Sequence, residues 1–146
     1  MASLLYTTCK RDLMAGTIDL NTDTIYVMLM AATYTTTVNA STQDFRNDVT
    51  AHEITATAGD GYTAGGVEIT TLVVSADLTN NLGYWDGADV AWADATLTAR
   101  GAVVYKSTGD ATTDPLVCWF DFGSDQTATS GTFTIQWSTD GLIKLS

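Results

Sequence analysis

The stretch DVAWADATLTARGAVVYKSTGDATTDPLVCWFDF, residues 89–122, decides the fold of this chain. Two apolar runs, Ala102–Tyr105 and Leu116–Phe120, lie on either side of a polar insert at Ser107–Pro115. β-Branched and aromatic residues, which favour strands, fill the runs, whereas Gly, Asp, Thr and the chain's only Pro fill the insert. Strands that are apolar at nearly every position belong inside a sheet covered on both faces. We therefore expect this hairpin to form the centre of the fold.

The length and composition of the chain indicate a single β-rich domain over residues 1–146. A chain of 146 residues is close to the usual size of one domain and long enough to bury a core. Its 45% of hydrophobic residues exclude a disordered chain. The acidic residues are almost all Asp, which favours turns over helices, and only Glu53 and Glu68 are Glu.

The charge balance excludes several classes of partner. The formal net charge is −11 and the pI is about 4.1, whereas proteins that bind nucleic acid or anionic membranes need a basic surface. Residues 1–13, MASLLYTTCKRDL, place their basic residues after the apolar ones, unlike a signal peptide. No run approaches the ~18 apolar residues that a membrane span needs. We expect a soluble protein, made in a cytoplasm.

The remaining patterns predict one short helix and about eight strands. Leu5, Cys9 and Leu13 recur at four-residue spacing before Gly16, which predicts a helix over Ser3–Ala15. The strands expected outside the central hairpin are Thr24–Met30, Val67–Ala76, one or two short strands around the Asp86–Gly87 turn within Leu82–Trp92, Thr132–Trp137 and Leu142–Leu145. Strands at this spacing predict an all-β fold, an antiparallel β-sandwich or barrel.

Turn residues predict how the strands are connected. The Gly-dense segment Ala58–Gly66 must bend sharply or approach another backbone closely. A loop is expected over Gly123–Gly131, and the Asp140–Gly141 turn is expected to close a C-terminal hairpin.

The Thr33–Ala58 segment is a long excursion between strands. Within it, Ser41–Thr50 has two open interpretations: one or two helical turns capped by Ser41, or a surface loop. In both, Phe45 and Val49 are the residues that would anchor the excursion on the core.

No catalytic constellation is complete, so we expect no enzymatic activity. His52 is the only histidine, and no G-x-S-x-G motif accompanies it, so a loop position is expected for it. Asp121, in WFDFG, is the only Asp inside a strongly apolar strand. It is either an inward-facing acid of the kind that glycoside hydrolysis requires or, as we favour, a carboxylate at the end of a strand that is satisfied by turn amides.

One acidic turn has partial calcium-loop spacing. Asp19, Asn21 and Asp23 match the first, third and fifth oxygen ligands, but Thr24 replaces the turn glycine and Met30 replaces the bidentate Glu. We expect an ordinary Asx-rich turn, and no metal or cofactor.

The two cysteines, Cys9 and Cys118, have neither C-x-x-C nor zinc spacing. We expect two buried reduced thiols, and the sequence alone leaves a disulfide open.

Five segments together resemble a class of small structural proteins from tailed bacteriophage virions. They are TIYVMLM at Thr24–Met30, GDGYTAGG at Gly59–Gly66, WADAT at Trp92–Thr96, RGAVVY at Arg100–Tyr105, and Ser130–Ser146 with its pattern S-G-T-F-T-I-x-W…G-L-I-x-L-S. The resemblance spans nearly the whole chain, and it consists of structural patterns rather than catalytic signatures.

That resemblance implies a virion role, either as a head decoration (cement) protein or as a fibre-associated component. For a decoration protein it implies a homotrimer that binds the major capsid protein on the capsid exterior, made in the cytoplasm of the host bacterium. It implies no active-site residues. Because loops adapt to partners more readily than a core does, the expected contacts are strand edges, Thr33–Ala58 and Ser107–Pro115.

The alternative is a receptor-binding module that recognises a glycan on a fibre. Such a site needs solvent-facing aromatic rings beside carboxylates. Trp85 and Trp92, near Asp86 and Asp94, are the only candidate platform, because Trp119 and Trp137 lie on apolar strands and are expected to be buried.

Overall fold

The computed structural model of the chain describes residues 2–146, which form eight strands and one α-helix. In chain order these are β1 (Leu4–Leu5), α1 (Thr7–Ala15), β2 (Ile25–Met30), β3 (Val67–Glu68), β4 (Val73–Asp77), β5 (Leu82–Asp86), β6 (Val90–Lys106), β7 (Leu116–Ile135) and β8 (Ile143–Leu145), with short 3-10 helices at Ala32–Thr36, Arg46–Asp48 and Thr50–His52. The predicted antiparallel β fold with one short N-terminal helix is confirmed.

The strands form two antiparallel sheets, and neither closes into a barrel over residues 2–146. The larger sheet has the order β1-β7-β6-β2-β3, and the smaller has the order β4-β5-β8. Both sheets contribute to one hydrophobic core, for example through Val104 of β6 and Ile143 of β8. Of the two predicted architectures, the structure therefore supports the sandwich-like one.

The central hairpin lies where the sequence predicts it. β6 pairs with both β7 and β2, and Val103 and Val104 of β6 lie opposite Trp119 and Cys118 of β7. The two Val side chains and the Cys118 thiol are fully buried, and Trp119 is nearly so. Full burial of an aliphatic side chain contributes about 1.5–3 kcal/mol, so the residues of this hairpin stabilise the core substantially.

The predicted loop at Gly123–Gly131 is wrong, because β7 continues through it as a strand. β7 is 20 residues long and its outer half pairs with the outer half of the 17-residue β6, with Leu97 opposite Ala128 and Thr98 opposite Thr127. The residues that resemble a loop instead mark irregularities in the pairing, including Ser130 with a φ of 47°. Together the two outer halves form a Thr-rich ribbon, in which most β7 residues are exposed whereas alternate β6 residues, such as Ala95 and Ala99, are buried.

The helix begins at Thr7 rather than at Ser3, because the residues before it pair with β7. Leu4 and Leu5 of β1 lie opposite Trp119 and Cys118. The helix ends at Gly16 as predicted, with the left-handed φ of 71° that glycine adopts easily. Nine residues are too few to cross a bilayer, and no helix within residues 2–146 is long and apolar enough to do so.

The predicted strand Val67–Ala76 is two strands that belong to different sheets. β3 pairs with β2 in the larger sheet, whereas β4 pairs with β5 in the smaller one. Thr71, between them, has a φ of 55°, which turns the chain from one sheet to the other. The prediction of strands on both sides of Asp86–Gly87 is confirmed by β5 and the start of β6.

The predicted C-terminal hairpin is also wrong. The predicted alternation of buried and exposed residues in the preceding segment, Thr132–Trp137, is confirmed, since Phe133, Ile135 and Trp137 are all buried. The Asp140–Gly141 turn forms, but β8 then pairs with β5 rather than with the preceding strand. The chain end therefore closes the smaller sheet and contributes Ile143 to the shared core.

Candidate functional site

His52 connects parts of the Thr33–Ala58 excursion through both of its ring nitrogens. Its Nδ1 lies 3.3 Å from the Thr33 hydroxyl and its Nε2 lies 3.3 Å from the Thr37 hydroxyl. Its ring also packs against that of Tyr34, with 5.6 Å between centroids. Both ring nitrogens are thus occupied by contacts within the excursion, which is the loop position that the sequence predicts.

Asp121 is an exposed, ion-paired carboxylate inside β7, so its predicted position at the end of a strand is wrong. Its Oδ1 accepts hydrogen bonds from Arg100 Nε at 2.8 Å and from the Gly123 N–H at 2.8 Å. These two bonds lower the pKa of the Asp121 carboxyl, whereas a general acid at neutral pH requires a raised pKa. The interpretation as a carboxylate satisfied by local amides fits this geometry.

The Asp19–Asp23 turn satisfies its own carboxylates. Asp19 Oδ1 accepts a hydrogen bond from the Asn21 N–H at 2.9 Å, as in an Asx turn. Asp23 Oδ2 accepts one from the Asp19 N–H at 2.8 Å and pairs with Lys106 Nζ at 2.8 Å. Among residues 2–146, no group of three or more His, Cys, Asp or Glu is arranged to hold a metal ion.

The tryptophan platform predicted for a glycan is wrong, because no indole ring is available at the surface. Trp85 is 2% exposed and Trp92 is 6% exposed. The Trp85 N–H donates to the Leu20 carbonyl oxygen at 2.8 Å, and the Trp92 ring packs between aromatic neighbours. The predicted burial of Trp119 and Trp137 is confirmed. The rings therefore stabilise the core instead of binding a sugar.

The two thiols are also part of the core. Cys9 and Cys118 are both buried and unbonded to each other. Burial raises the pKa of Cys9 to about 12 and that of Cys118 well above its usual value, so neither forms a reactive thiolate at neutral pH. The prediction of two buried thiols is confirmed.

The two loops that the sequence selects as contact surfaces meet each other. We call their contact the loop junction, which comprises residues 44–48 of the excursion and residues 108–115 of the hairpin insert. Arg46 Nε pairs with Asp114 Oδ2 at 2.7 Å, and the Arg46 N–H donates to the Asp114 carbonyl oxygen at 2.9 Å. Phe45 forms a β-bridge with Pro115. The sequence identifies both loops but gives no sign that they form one surface.

Buried polar contacts make the loop junction rigid. The Asp114 side chain is 1% exposed and also accepts hydrogen bonds from the Thr108 N–H at 2.6 Å and hydroxyl at 2.9 Å. The Arg46 guanidinium lies 5.1 Å from the centre of the Tyr105 ring, whose hydroxyl donates to the Gly65 carbonyl oxygen at 2.7 Å. The junction is thereby connected to both the sheet and the Gly-dense segment.

The excursion is held by 3-10 turns instead of a helix capped by Ser41. The Asp48 carboxylate accepts hydrogen bonds from the Asp44 N–H at 2.9 Å and the Phe45 N–H at 3.0 Å. Val49 is fully buried, as the anchoring prediction requires, whereas Phe45 remains 37% exposed. An exposed aromatic ring on a rigid junction is a candidate contact for a protein partner.

A second candidate surface, which sequence reasoning missed, is an apolar groove of about 380 Å³ beside the smaller sheet. Its lining includes Leu13, Ile18, Leu20, Val74, Trp85, Ile143 and Leu145, and Asp19 is its one charged residue. Val74 and Leu145 are more than half exposed at 56% and 55%. We refer to this surface as the apolar groove.

The chain matches no protein-family model, no curated protein and no solved structure.

Proposed function

We propose that the chain is a bacteriophage capsid decoration (cement) protein, which binds the major capsid protein on the outside of the head as a homotrimer and stabilises the shell. The observation that carries the proposal is the set of phage-like motifs between Thr24 and Ser146, which spans both sheets. A cement protein needs a rigid body and contact area rather than reactive groups, roughly 1,000 Å² or more for each stable contact.

The loop junction supports this proposal because it is a preformed surface. Its two loops are locked by the buried Arg46–Asp114 pair, so little conformational entropy is lost when a partner binds. Phe45 presents an exposed ring there, and aromatic side chains dominate the energetics of many protein interfaces.

The charge distribution supports a basic or cation-bridged partner. Five of the six basic side chains form ion pairs within the described residues, and Lys10 is the exception. The other 12 of the 17 acidic side chains have no ion pair within the described residues. This excess of negative charge keeps free molecules soluble and apart. A capsid surface that carries positive charge or bound cations would attract them.

The buried tryptophans weigh against the alternative of a glycan-binding fibre module. A sugar platform needs an exposed ring, and Trp85, the more buried of the two candidates, is 2% exposed. No other observation among the described residues favours that alternative.

The proposal is tested with heads of the encoding phage assembled without this chain. Purified protein is added, and bound copies per head are measured by co-sedimentation together with the temperature at which the heads release DNA. We expect saturable binding and a higher release temperature. Binding to the major capsid protein should be weakened by Phe45→Ala but not by Thr129→Ala, an exposed position on the ribbon. Failure of the unmodified chain to bind heads would refute the proposal.

A further inference from the structure

We propose that the outer edge of β4, together with the apolar groove, binds an extended segment of the partner protein in which apolar and basic residues alternate. The inference deepens the proposed function, on which it rests for the source of the segment, the capsid protein. The segment would add to the smaller sheet as a fourth strand.

The first observation is the unprotected edge of β4. This strand pairs with β5 alone, and its residues Val73–Ala76 are all exposed. Edge strands usually carry a charge, a proline or a bulge that prevents pairing with another chain, and Val73–Ala76 have none of these. Asp77 lies at the end of the strand, where its carboxylate caps the N–H groups of Thr79 and Asn80.

The second observation is the concentration of exposed apolar side chains at this place. Of the large hydrophobic residues that are exposed, Val73 and Val74 lie on β4, Leu78 follows it, and Leu145 lies on β8. Val74 and Leu145 both line the apolar groove. An exposed apolar patch on a soluble domain usually marks an interaction site.

The third observation is that the two faces of β4 and β5 differ in charge. Val74 lies opposite Trp85 on the face that lines the groove. Val73 lies opposite Asp86 on the other face, which also carries Asp77 because alternate residues share a face. Neither Asp77 nor Asp86 has an ion pair within the described residues.

The apolar face and the acidic face of β4 together determine which residues the added strand should carry. A strand added beside β4 would point alternate side chains into the groove and toward Asp77 and Asp86. Apolar residues fit the first set, and Lys or Arg fit the second. A second copy of this chain fits this edge poorly, because its own β4 sequence, VVSAD, has no basic residue to pair with Asp77 or Asp86.

The inference is tested with a capped synthetic peptide of alternating Val and Lys, about eight residues long, added to the isotope-labelled full chain. We expect amide chemical-shift changes at Val73–Asp77 and near Leu145. A matched Val–Glu peptide should not bind, and neither should a Val–Lys peptide methylated on the amides of the edge that faces β4, because it cannot donate the strand hydrogen bonds to β4. Equal binding of the Val–Glu or methylated peptide, shifts confined to other residues, or no shifts at all would overturn the inference.

A second measurement separates this inference from the proposed function. Val74→Thr keeps the shape of an exposed side chain, so the fold is retained, but it makes the groove more polar. We expect this variant to bind the phage heads more weakly than the unmodified chain. Equal binding would overturn the groove inference while the capsid proposal stands.

If the unmodified chain does not bind heads, the capsid source is wrong even where the peptide binds β4. Self-association that Val74→Thr abolishes would show that a second copy is the occupant instead.

Discussion

Replacement of Asp114 by Ala should destabilise the protein strongly, because it breaks the ion pair at the centre of the loop junction. The Asp114 side chain is 1% exposed, and its carboxylate accepts three hydrogen bonds, one from Arg46 Nε and two from the Thr108 N–H and hydroxyl. Removal of one member of a buried ion pair costs about 3–5 kcal/mol. Arg46 is 22% exposed and can be partly hydrated, so we expect a loss near the lower limit, about 3 kcal/mol.

The matched control is Asp121→Ala, which breaks an ion pair of nearly the same length at the surface. The Arg100–Asp121 distance is 2.8 Å, against 2.7 Å for Arg46–Asp114, but its side chains are 26% and 34% exposed. Exposed pairs contribute about 1 kcal/mol or less. For a chain of this size, 1 kcal/mol corresponds to roughly 2–4 °C in Tm, so the expected decreases are about 6–12 °C for Asp114→Ala and at most about 4 °C for the control.

Thermal unfolding followed by circular dichroism, with urea unfolding for the free energies, measures both variants. Equal losses for the two would refute the reasoning, because they would mean that burial does not set the strength of the Arg46–Asp114 pair. Asp114→Asn keeps an acceptor for Thr108 and should fall between the two alanine variants.

Three further predictions follow from the same packing. Gly101→Ala should prevent stable folding, because its Cβ would lie 2.1 Å from the Trp119 ring, whereas Gly131→Ala should change Tm little because its nearest contact is at 3.8 Å. Soluble expression and Tm are measured for both variants. A folded Gly101→Ala protein of normal Tm would contradict the register of β6 and β7. Burial raises the pKa of Cys9, Tyr34 and Tyr105 to about 12, so the unfolded chain loses these protons at a lower pH than the folded protein does. The free energy of unfolding should therefore have its full value below about pH 9 and fall as the pH rises toward about 12. Urea midpoints that do not change between about pH 7 and about pH 11 would count against this burial. The four tryptophans are at most 8% exposed, so the fluorescence of the native protein should be blue-shifted and resist quenching by iodide. Quenching of the native protein as strong as that of the unfolded chain would be inconsistent with the structure.

The part of the fold that sequence predicts well is the part buried on both faces. Val103, Val104 and Trp119 lie in runs that are apolar at nearly every position, and such composition follows directly from double-sided burial. The ribbon gives no such signal, because its exposed Thr, Ser and Gly residues resemble a loop when read locally. Its strand identity comes from pairing between residues such as Thr98 and Thr127, which are far apart in the chain.

The surfaces were harder to predict than the core for the same reason. Trp85 lies beside Asp86, which suggests an exposed ring, yet its N–H donor is satisfied by the Leu20 carbonyl oxygen from another part of the chain. Arg46 and Asp114 are 68 residues apart, so no local pattern indicates their pairing. The positive φ of Thr71, which separates β3 from β4, is also not encoded by a glycine.

The proposed function places the chain on the outside of a phage head, and electron cryo-microscopy of the virion that it implies tests this position most directly. The proposed function predicts density that fits this chain on the outer surface of the head, as trimers at local threefold positions. The loop junction and the β4 edge should lie against the major capsid protein. Density for the chain only at the tail tip, or on the inner surface of the shell, would contradict the account.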